Sequence, residues 1–290
     1  MSNASLKQLG PGLQAKLESC CEILSDLNRV VVAYSGGVDS TLLLALAVET
    51  LGKDNVLPAM AVSTIFPSGD ITEARQHCRA MGLDLLELPT AHLTDSRFSK
   101  NPSDRCYYCK TILLKKLTLL AEQRGFQAVV TGANAADKAD YRPGSRAEQE
   151  MGVRRPLLEA RMDKNDIRQI SRAMGLATWD RPSSPCLVTR VPYDQPLTEQ
   201  RLRRIEAAET VLHDLGFEIC RVRDHHPLAR VEIPMDRMDE LMNLREKVVE
   251  ALGALGFTFV TLDLAGFRSG AMDETLSQAQ RNSYSHDQHR

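Results

Sequence analysis

Val30-Val-Val-Ala-Tyr-Ser-Gly-Gly-Val-Asp-Ser-Thr41 runs from an apolar segment through two glycines into a helix-forming one. The pattern predicts a strand, a tight turn and a helix from about Thr41. This is anion-binding architecture. Gly36 and Gly37 permit positive φ and close backbone approach, the hydroxyls of Ser35 and Ser40 donate, and the helix start offers unpaired N–H groups and a positive dipole end.

Two familiar phosphate motifs are excluded by spacing. Gly-x-x-x-x-Gly-Lys-Ser/Thr would bring its own lysine, and Gly-x-Gly-x-x-Gly would suit a dinucleotide; neither occurs around Gly36. Ser35-Gly-Gly-Val-Asp-Ser40 instead resembles the PP-loop, the pyrophosphate-binding loop of the N-type ATP pyrophosphatases. Those enzymes cleave ATP between the α and β phosphates and leave AMP on a substrate oxygen. Asp39 is repelled by phosphate, so its expected role is to hold Mg²⁺ or orient the loop.

The 290 residues suffice for one large or two smaller domains, and a hydrophobic fraction of 43% supplies a core. A formal net charge of −2 gives no global attraction to nucleic acid. No apolar run of about 18 residues is present, so no membrane partner is expected. No charged leader followed by an apolar core is seen either, and Met1-Ser-Asn-Ala4 is given no structural weight. Seven cysteines are an odd number for a disulfide framework, and ATP chemistry points to a reducing, cytoplasmic setting.

Helices are expected over Leu13–Leu27, Leu42–Leu51, Asp70–Met81, Tyr107–Arg124 and Asp163–Met174, the last capped by Asp163. Strands are expected over Val56–Val62, Leu83–Leu88 and Ala128–Thr131. The alternation is the βαβ rhythm of a parallel sheet covered on both faces, so the fold class is α/β. Ser63–Gly69, at the carboxyl end of a strand, is expected near adenine or ribose. By the same reasoning Asn134 and Asp137, after the strand ending at Thr131, are candidate nucleotide, substrate or metal contacts, and Asp140-Tyr-Arg-Pro-Gly144 reads as a turn.

Beyond Leu197 the pattern changes. A capped amphipathic helix from Thr198 to Leu215, strands Ile219–Arg223 and Ala229–Ile233, a helix Met238–Leu255 and a strand Phe257–Leu262 make a small α+β unit. The expected division is a PP-loop domain over 12–185, a linker over 186–196 carrying Cys186, the small domain over 197–276 and a tail over 277–290.

Cys20 and Cys21 fall in the first helix and read as packing. Cys106-Tyr-Tyr-Cys109 and Cys186 lie outside apolar periodicity. Soft thiolates suit zinc or iron–sulfur clusters; a structural zinc wants a fourth ligand, and a [4Fe–4S] cluster on three cysteines leaves one iron open. A redox disulfide across the CxxC pair, a reactive Cys186 near Arg181 or Arg190, and inert thiols remain open on the residues alone.

The PP-loop, Asp140-Tyr-Arg-Pro-Gly144, the Cys186 segment through Arg190-Val-Pro-Tyr193, Arg221-Val-Arg223 and Thr261-Leu-Asp-Leu-Ala-Gly-Phe-Arg-Ser-Gly270 together resemble LarE. This is the ATP-dependent PP-loop sulfur transferase family of nickel-pincer nucleotide cofactor synthesis, and the likeness covers about residues 15 to 280. It implies an adenine nucleotide alpha hydrolase-like fold. It also implies a substrate, pyridinium-3,5-biscarboxylic acid mononucleotide, whose carboxylates are adenylated and converted to thiocarboxylates. Cofactors implied are ATP, Mg²⁺ and, in the three-cysteine form, a [4Fe–4S] cluster on Cys106, Cys109 and Cys186 carrying extra sulfide. Sacrificial members instead give up the sulfur of the cysteine matching Cys186. In the family Arg221, Arg223, Arg268, Glu209 and Glu232 fall in motifs associated with the substrate or a bound metal. Sulfide or a sulfur-donor system is the expected partner, along with a homo-oligomeric state. The competing classes are a PP-loop enzyme that thiolates transfer RNA and a non-catalytic nucleotide-binding module.

Overall fold

The computed structural model describes residues 9–138, 143–268 and 270–276. Val30, Val31 and Val32 are fully buried, as a strand in a sheet covered on both faces must be. They form β1 (Val30–Ala33), which pairs in parallel with β2 (Val56–Val62) on one side and β4 (Ala128–Thr131) on the other. With β3 (Leu86–Pro89) added beyond β2, the sheet order is β3-β2-β1-β4 and every pairing is parallel. The α/β expectation is met.

Helices α1 (Pro11–Ser25), α2 (Val38–Leu51), α3 (Ser68–Ala80) and α4 (Arg105–Arg124) accompany these strands. In α2 the consecutive residues Leu42, Leu43 and Leu44 are all inaccessible, so this helix is buried on every side. Its first turn begins at Val38, three residues before the expected start, because Gly37 already has the extended backbone of a cap. Cys20 is fully buried in the same core, as expected of a packing residue, whereas Cys21 is half-buried. After β4 come α5 (Pro143–Glu150) and α6 (Lys164–Ala173). Asp163 closes a capping box at the head of α6: its Oδ1 accepts from the Asp166 N–H at 2.9 Å, while Asp166 Oδ2 accepts from the Asp163 N–H at 3.0 Å.

The remaining chain supplies α7 (Glu199–Asp214), whose cap Thr198 accepts from the Arg201 N–H, and a second sheet. That sheet contains β5 (Arg221–Asp224), β6 (Leu228–Glu232) and β7 (Phe259–Leu262) in order β5-β6-β7, antiparallel then parallel. Its core of Val222, Ala229, Val231 and Phe217 is separate from the core around β1. The expected helix Met238–Leu255 is instead two pieces, Met238–Asn243 and α8 (Arg245–Ala254). Leu244 closes the first, its N–H reaching the carbonyls of Leu241 and Glu240, and its own carbonyl opens the second by accepting from Val248. The third strand starts at Leu86 rather than Leu83. Of Asp140-Tyr-Arg-Pro-Gly144, the first three residues lie outside the described residues, as do Ser269 and the 277–290 tail; Pro143 and Gly144 begin α5. Among the described residues no helix is long and apolar enough to cross a membrane.

Candidate active site

The turn between β1 and α2 is tied by its own serines. The Ser35 and Ser40 hydroxyls lie 3.0 Å apart, the Ser35 N–H donates to Ser40 Oγ at 3.2 Å, and the Ser40 hydroxyl reaches the Gly37 carbonyl at 3.1 Å. Gly36 has φ +73°, and a Cβ there would stand 3.1 Å from the Cβ of Ala74, so both conformation and space demand glycine. Gly37 caps α2 without a side-chain acceptor, which leaves the N–H groups of the first turn to meet an anion. The strand order reverses direction at β1, between β2 and β4, and a parallel sheet opens its ligand crevice outside the strand ends at such a point.

A cavity of about 560 Å³ occupies that crevice. Ser35, Gly37, Asp39 and Ser40 line it, as do Phe66 from the expected adenine-side loop and Gly132 after β4. Cys106 and Cys109 from α4 and the distant Cys186 line the same cavity. Burial, then the proximity of Cys186 and Cys106, pushes the Cys109 thiol up. Among the described residues no three or more His, Cys, Asp or Glu side chains are gathered as a ligand group for a metal ion.

Three ion pairs also line the cavity. Lys164, the first residue of α6, donates to both carboxylate oxygens of Asp39 at 2.8 Å. Lys110, beside Cys109, bonds the buried carboxylate of Glu148 on α5. Arg181 reaches Asp70 at 2.8 Å and the Gly36 carbonyl at 3.0 Å. The lysines carry no motif in the sequence and were missed there; only the register of α4 and α6 against the loop reveals them. Burial raises the Asp70 pKa, against the hydrogen bond from Ser184 and the charge of Arg181.

Asn134 is buried, and its Oδ1 accepts from the Ala136 N–H at 2.9 Å, a local turn at the end of β4. Asp137 lies on the following turn Ala135–Lys138.

The C-terminal candidates form a second group that does not line the cavity. Glu209 on α7 accepts a two-point bond from Arg190, at 2.9 Å on each oxygen, and the Val222 N–H at 3.0 Å. Glu232 on β6 accepts a two-point bond from Arg223 at 2.9 and 2.7 Å and a further one from Arg230. Arg223 also donates to the Thr189 carbonyl at 2.8 Å. Arg221 donates to the Cys220 carbonyl and lies over the Phe267 ring; burial and then Arg190 lower its pKa. Arg268, farther along, pairs with Glu274 at 3.3 Å. Glu209, Arg223 and Glu232 are thus bound to partners of their own, and the group connects to the cavity through the segment from Cys186 to Arg190.

The sequence pattern of the NAD synthase family matches residues 14–105, the stretch from α1 through the PP-loop to the start of α4. The pyridinium-3,5-bisthiocarboxylic acid mononucleotide synthase of Lactiplantibacillus plantarum is 38% identical over 92% of this chain and 97% of its own. An uncharacterised protein of Synechocystis sp. is 37% identical over 92% of this chain and 100% of its own. A tRNA-specific 2-thiouridylase of Xanthobacter autotrophicus is 30% identical, but over 63% of this chain and 56% of its own. Matching the first of these along nearly the whole of both sequences, the chain belongs to the LarE family of ATP-dependent PP-loop sulfur transferases.

Proposed function

We propose that the protein adenylates the carboxylates of pyridinium-3,5-biscarboxylic acid mononucleotide, releases pyrophosphate, and replaces the adenylyl group with sulfur to give thiocarboxylates. One observation carries the reading: the pyrophosphate loop and three thiols line a single cavity. A carboxylate resists attack until its oxygen becomes part of a leaving group, so activation and sulfur delivery need the same enclosed space.

The Ser35 and Ser40 hydroxyls and the first-turn N–H groups of α2 would hold the departing pyrophosphate. Asp39 would hold Mg²⁺, for which Lys164 must release it, and the freed ammonium would meet phosphate. Asn134 and Asp137 would close the nucleotide end. Arg221, which among the described residues makes no ion pair with a carboxylate, and Arg268 would take the substrate phosphate. Arg223 with Glu232, and Glu209 with Arg190, would support that site through these paired bonds.

Cys106, Cys109 and Cys186 suit a soft metal by donor type and line one cavity, although they are not gathered as a ligand group; drawn together there, they would hold a [4Fe–4S] cluster. When bound, such a cluster supplies an iron open to sulfide. The sacrificial reading rests on Cys186 alone: its sulfur passes to the substrate and dehydroalanine remains. Full-length coverage favours this family over transfer RNA thiolation. A cytoplasmic, homo-oligomeric enzyme drawing on sulfide or a sulfur-donor system completes the proposal.

Anaerobically prepared protein, given ATP, Mg²⁺ and the biscarboxylic acid, should form AMP and pyrophosphate; absence of both sinks the assignment. Iron and sulfide analysis, with mass spectrometry of Cys186, then separates the sulfur sources: a loss of roughly 34 mass units marks H₂S leaving to form dehydroalanine.

A further inference from the structure

Arg190 is among the largest fully buried side chains of the chain. Its ion pair with Glu209 leaves the two side chains only 2% and 7% exposed. Such a pair is weak as a source of stability, because desolvation offsets its attraction and well-packed apolar residues do as well. What apolar residues do not do is hold a peptide in place. Arg190 Nη1 points away from Glu209 and donates to the Pro185 carbonyl at 2.7 Å, the Cys186 carbonyl at 3.1 Å and Thr189 Oγ1 at 3.0 Å.

The Cys186 carbonyl is held three times over. Besides Arg190 it accepts from the Thr189 N–H at 3.1 Å and the Thr189 hydroxyl at 2.9 Å. The next residue is pinned as well, with the Leu187 N–H donating to the Ile65 carbonyl at 2.8 Å. Glu209 in turn is fixed by the Val222 N–H of β5. A continuous chain of charge-assisted hydrogen bonds therefore runs from the second sheet to the peptide that carries the cavity thiol.

We propose that Arg190 is a positioning residue of the sulfur-transfer step: by joining Glu209 to the carbonyls of Pro185 and Cys186, it holds the Cys186 thiol against the cavity. The inference rests on the proposed function but requires neither sulfur source, since a donor thiol and a cluster ligand both need a fixed Sγ. A guanidinium is suited to the task because its fork binds a carboxylate with one edge and carbonyls with the other, which an ammonium does not.

The test uses Arg190→Lys, which keeps a cation beside Glu209 and loses the second edge, and Thr189→Val, which removes a donor without stranding a charge. Two partial reactions are compared in the full-length protein: ATP–pyrophosphate exchange with the biscarboxylic acid, and thiocarboxylate formation. For Arg190→Lys, exchange should stay within about twofold while transfer falls by about tenfold or more, as misplacement of one reacting group requires. Alkylation of Cys186 by iodoacetamide, followed by peptide mass mapping, should accelerate by about fivefold as the segment loosens. Thr189→Val should move both readouts the same way by less. Unchanged transfer and alkylation overturn the proposal, as does a parallel fall of exchange and transfer, which marks a general structural role. Failure of the wild type to exchange would count against the functional reading; the alkylation comparison still decides whether Arg190 holds Cys186.

Discussion

Replacing Gly132 with alanine tests the close approach of the end of β4 to the first turn of α2, beside the cavity. A Cβ at this position would stand 2.9 Å from the Ser40 nitrogen, 3.1 Å from the Asp39 carbonyl carbon and 3.2 Å from the Ser40 Cα. All three are backbone atoms of the first turn of α2, so no side chain swings aside to relieve the contact. Restoring ordinary contact at 3.4 Å moves the loop or the end of β4 by about half an ångström. Overpacking of this kind costs about 1–3 kcal/mol, and about 2 kcal/mol lowers Tm by roughly 4–8 °C in a chain of this size class. The shift falls on the first-turn N–H groups that would meet pyrophosphate, and misaligned donors should lower exchange activity by about tenfold to a hundredfold. Gly253→Ala is the matched control. Gly253 lies in α8 with nothing within 4 Å of its would-be Cβ, so the same change should stabilise by about 0.5–1 kcal/mol and leave exchange untouched. Thermal melts and ATP–pyrophosphate exchange on both variants give the answer. A Gly132→Ala protein that melts and exchanges like the wild type would refute the close approach of β4 to the loop.

Lys164→Met removes the counter-ion of Asp39; Mg²⁺ should then bind the nucleotide-free protein more tightly while pyrophosphate binds more weakly, both measured by titration calorimetry. His92 is fully buried between Phe66 and Phe98, and burial lowers its pKa from 6.5 to about 4. The unfolded chain takes up this proton below about pH 6.5 and the folded chain only near pH 4, so stability falls as pH drops through that window. In His92→Leu the Tm profile from pH 7 to 4 should be flatter; an identical slope contradicts the burial argument. Cys106→Ala, purified without oxygen, should lose bound iron and multiple turnover, and retained iron with unchanged turnover rejects the cluster.

The parallel sheet and its loop were legible because their causes are local. An apolar run feeding Gly36 and Gly37 has few alternatives, and α2 declares its burial by being apolar on every side. Capping by Asp163 and Thr198 was equally readable, since each cap bonds within three residues of itself. The charged partners were not. Lys164 and Asp39 are 125 residues apart, and Arg190 and Glu209 belong to different elements 19 residues apart; no periodicity encodes such meetings. Glu209, Glu232 and Arg223 stand in motifs that imply substrate contacts, yet the fold engages Arg223 with Glu232 and Glu209 with Arg190. Their side chains are nearly inaccessible, so burial had already required that each find a partner.

The charges around the cavity bear on how a polyphosphate would enter it. Lys164, Lys110 and Arg181 each already have a carboxylate in Asp39, Glu148 and Asp70, so the lining balances its own charge. A neutral lining of this kind does not concentrate anions; on the proposed function a polyphosphate would enter by exchange, drawing Lys164 away from Asp39 and leaving that carboxylate to hold Mg²⁺. The loop is tied to the thiol segment by Arg181, five residues before Cys186, which bonds both the Gly36 carbonyl and Asp70 on α3. At its other end the segment is fastened by Arg190 to the second sheet's network. The peptide carrying Cys186 is therefore strung between the loop that would hold pyrophosphate and the residues beside Arg221. On the proposed function, sulfur delivered beside that peptide would meet a substrate held by its activated carboxylate in the cavity and by its phosphate near Arg221, so both ends of the site would be needed.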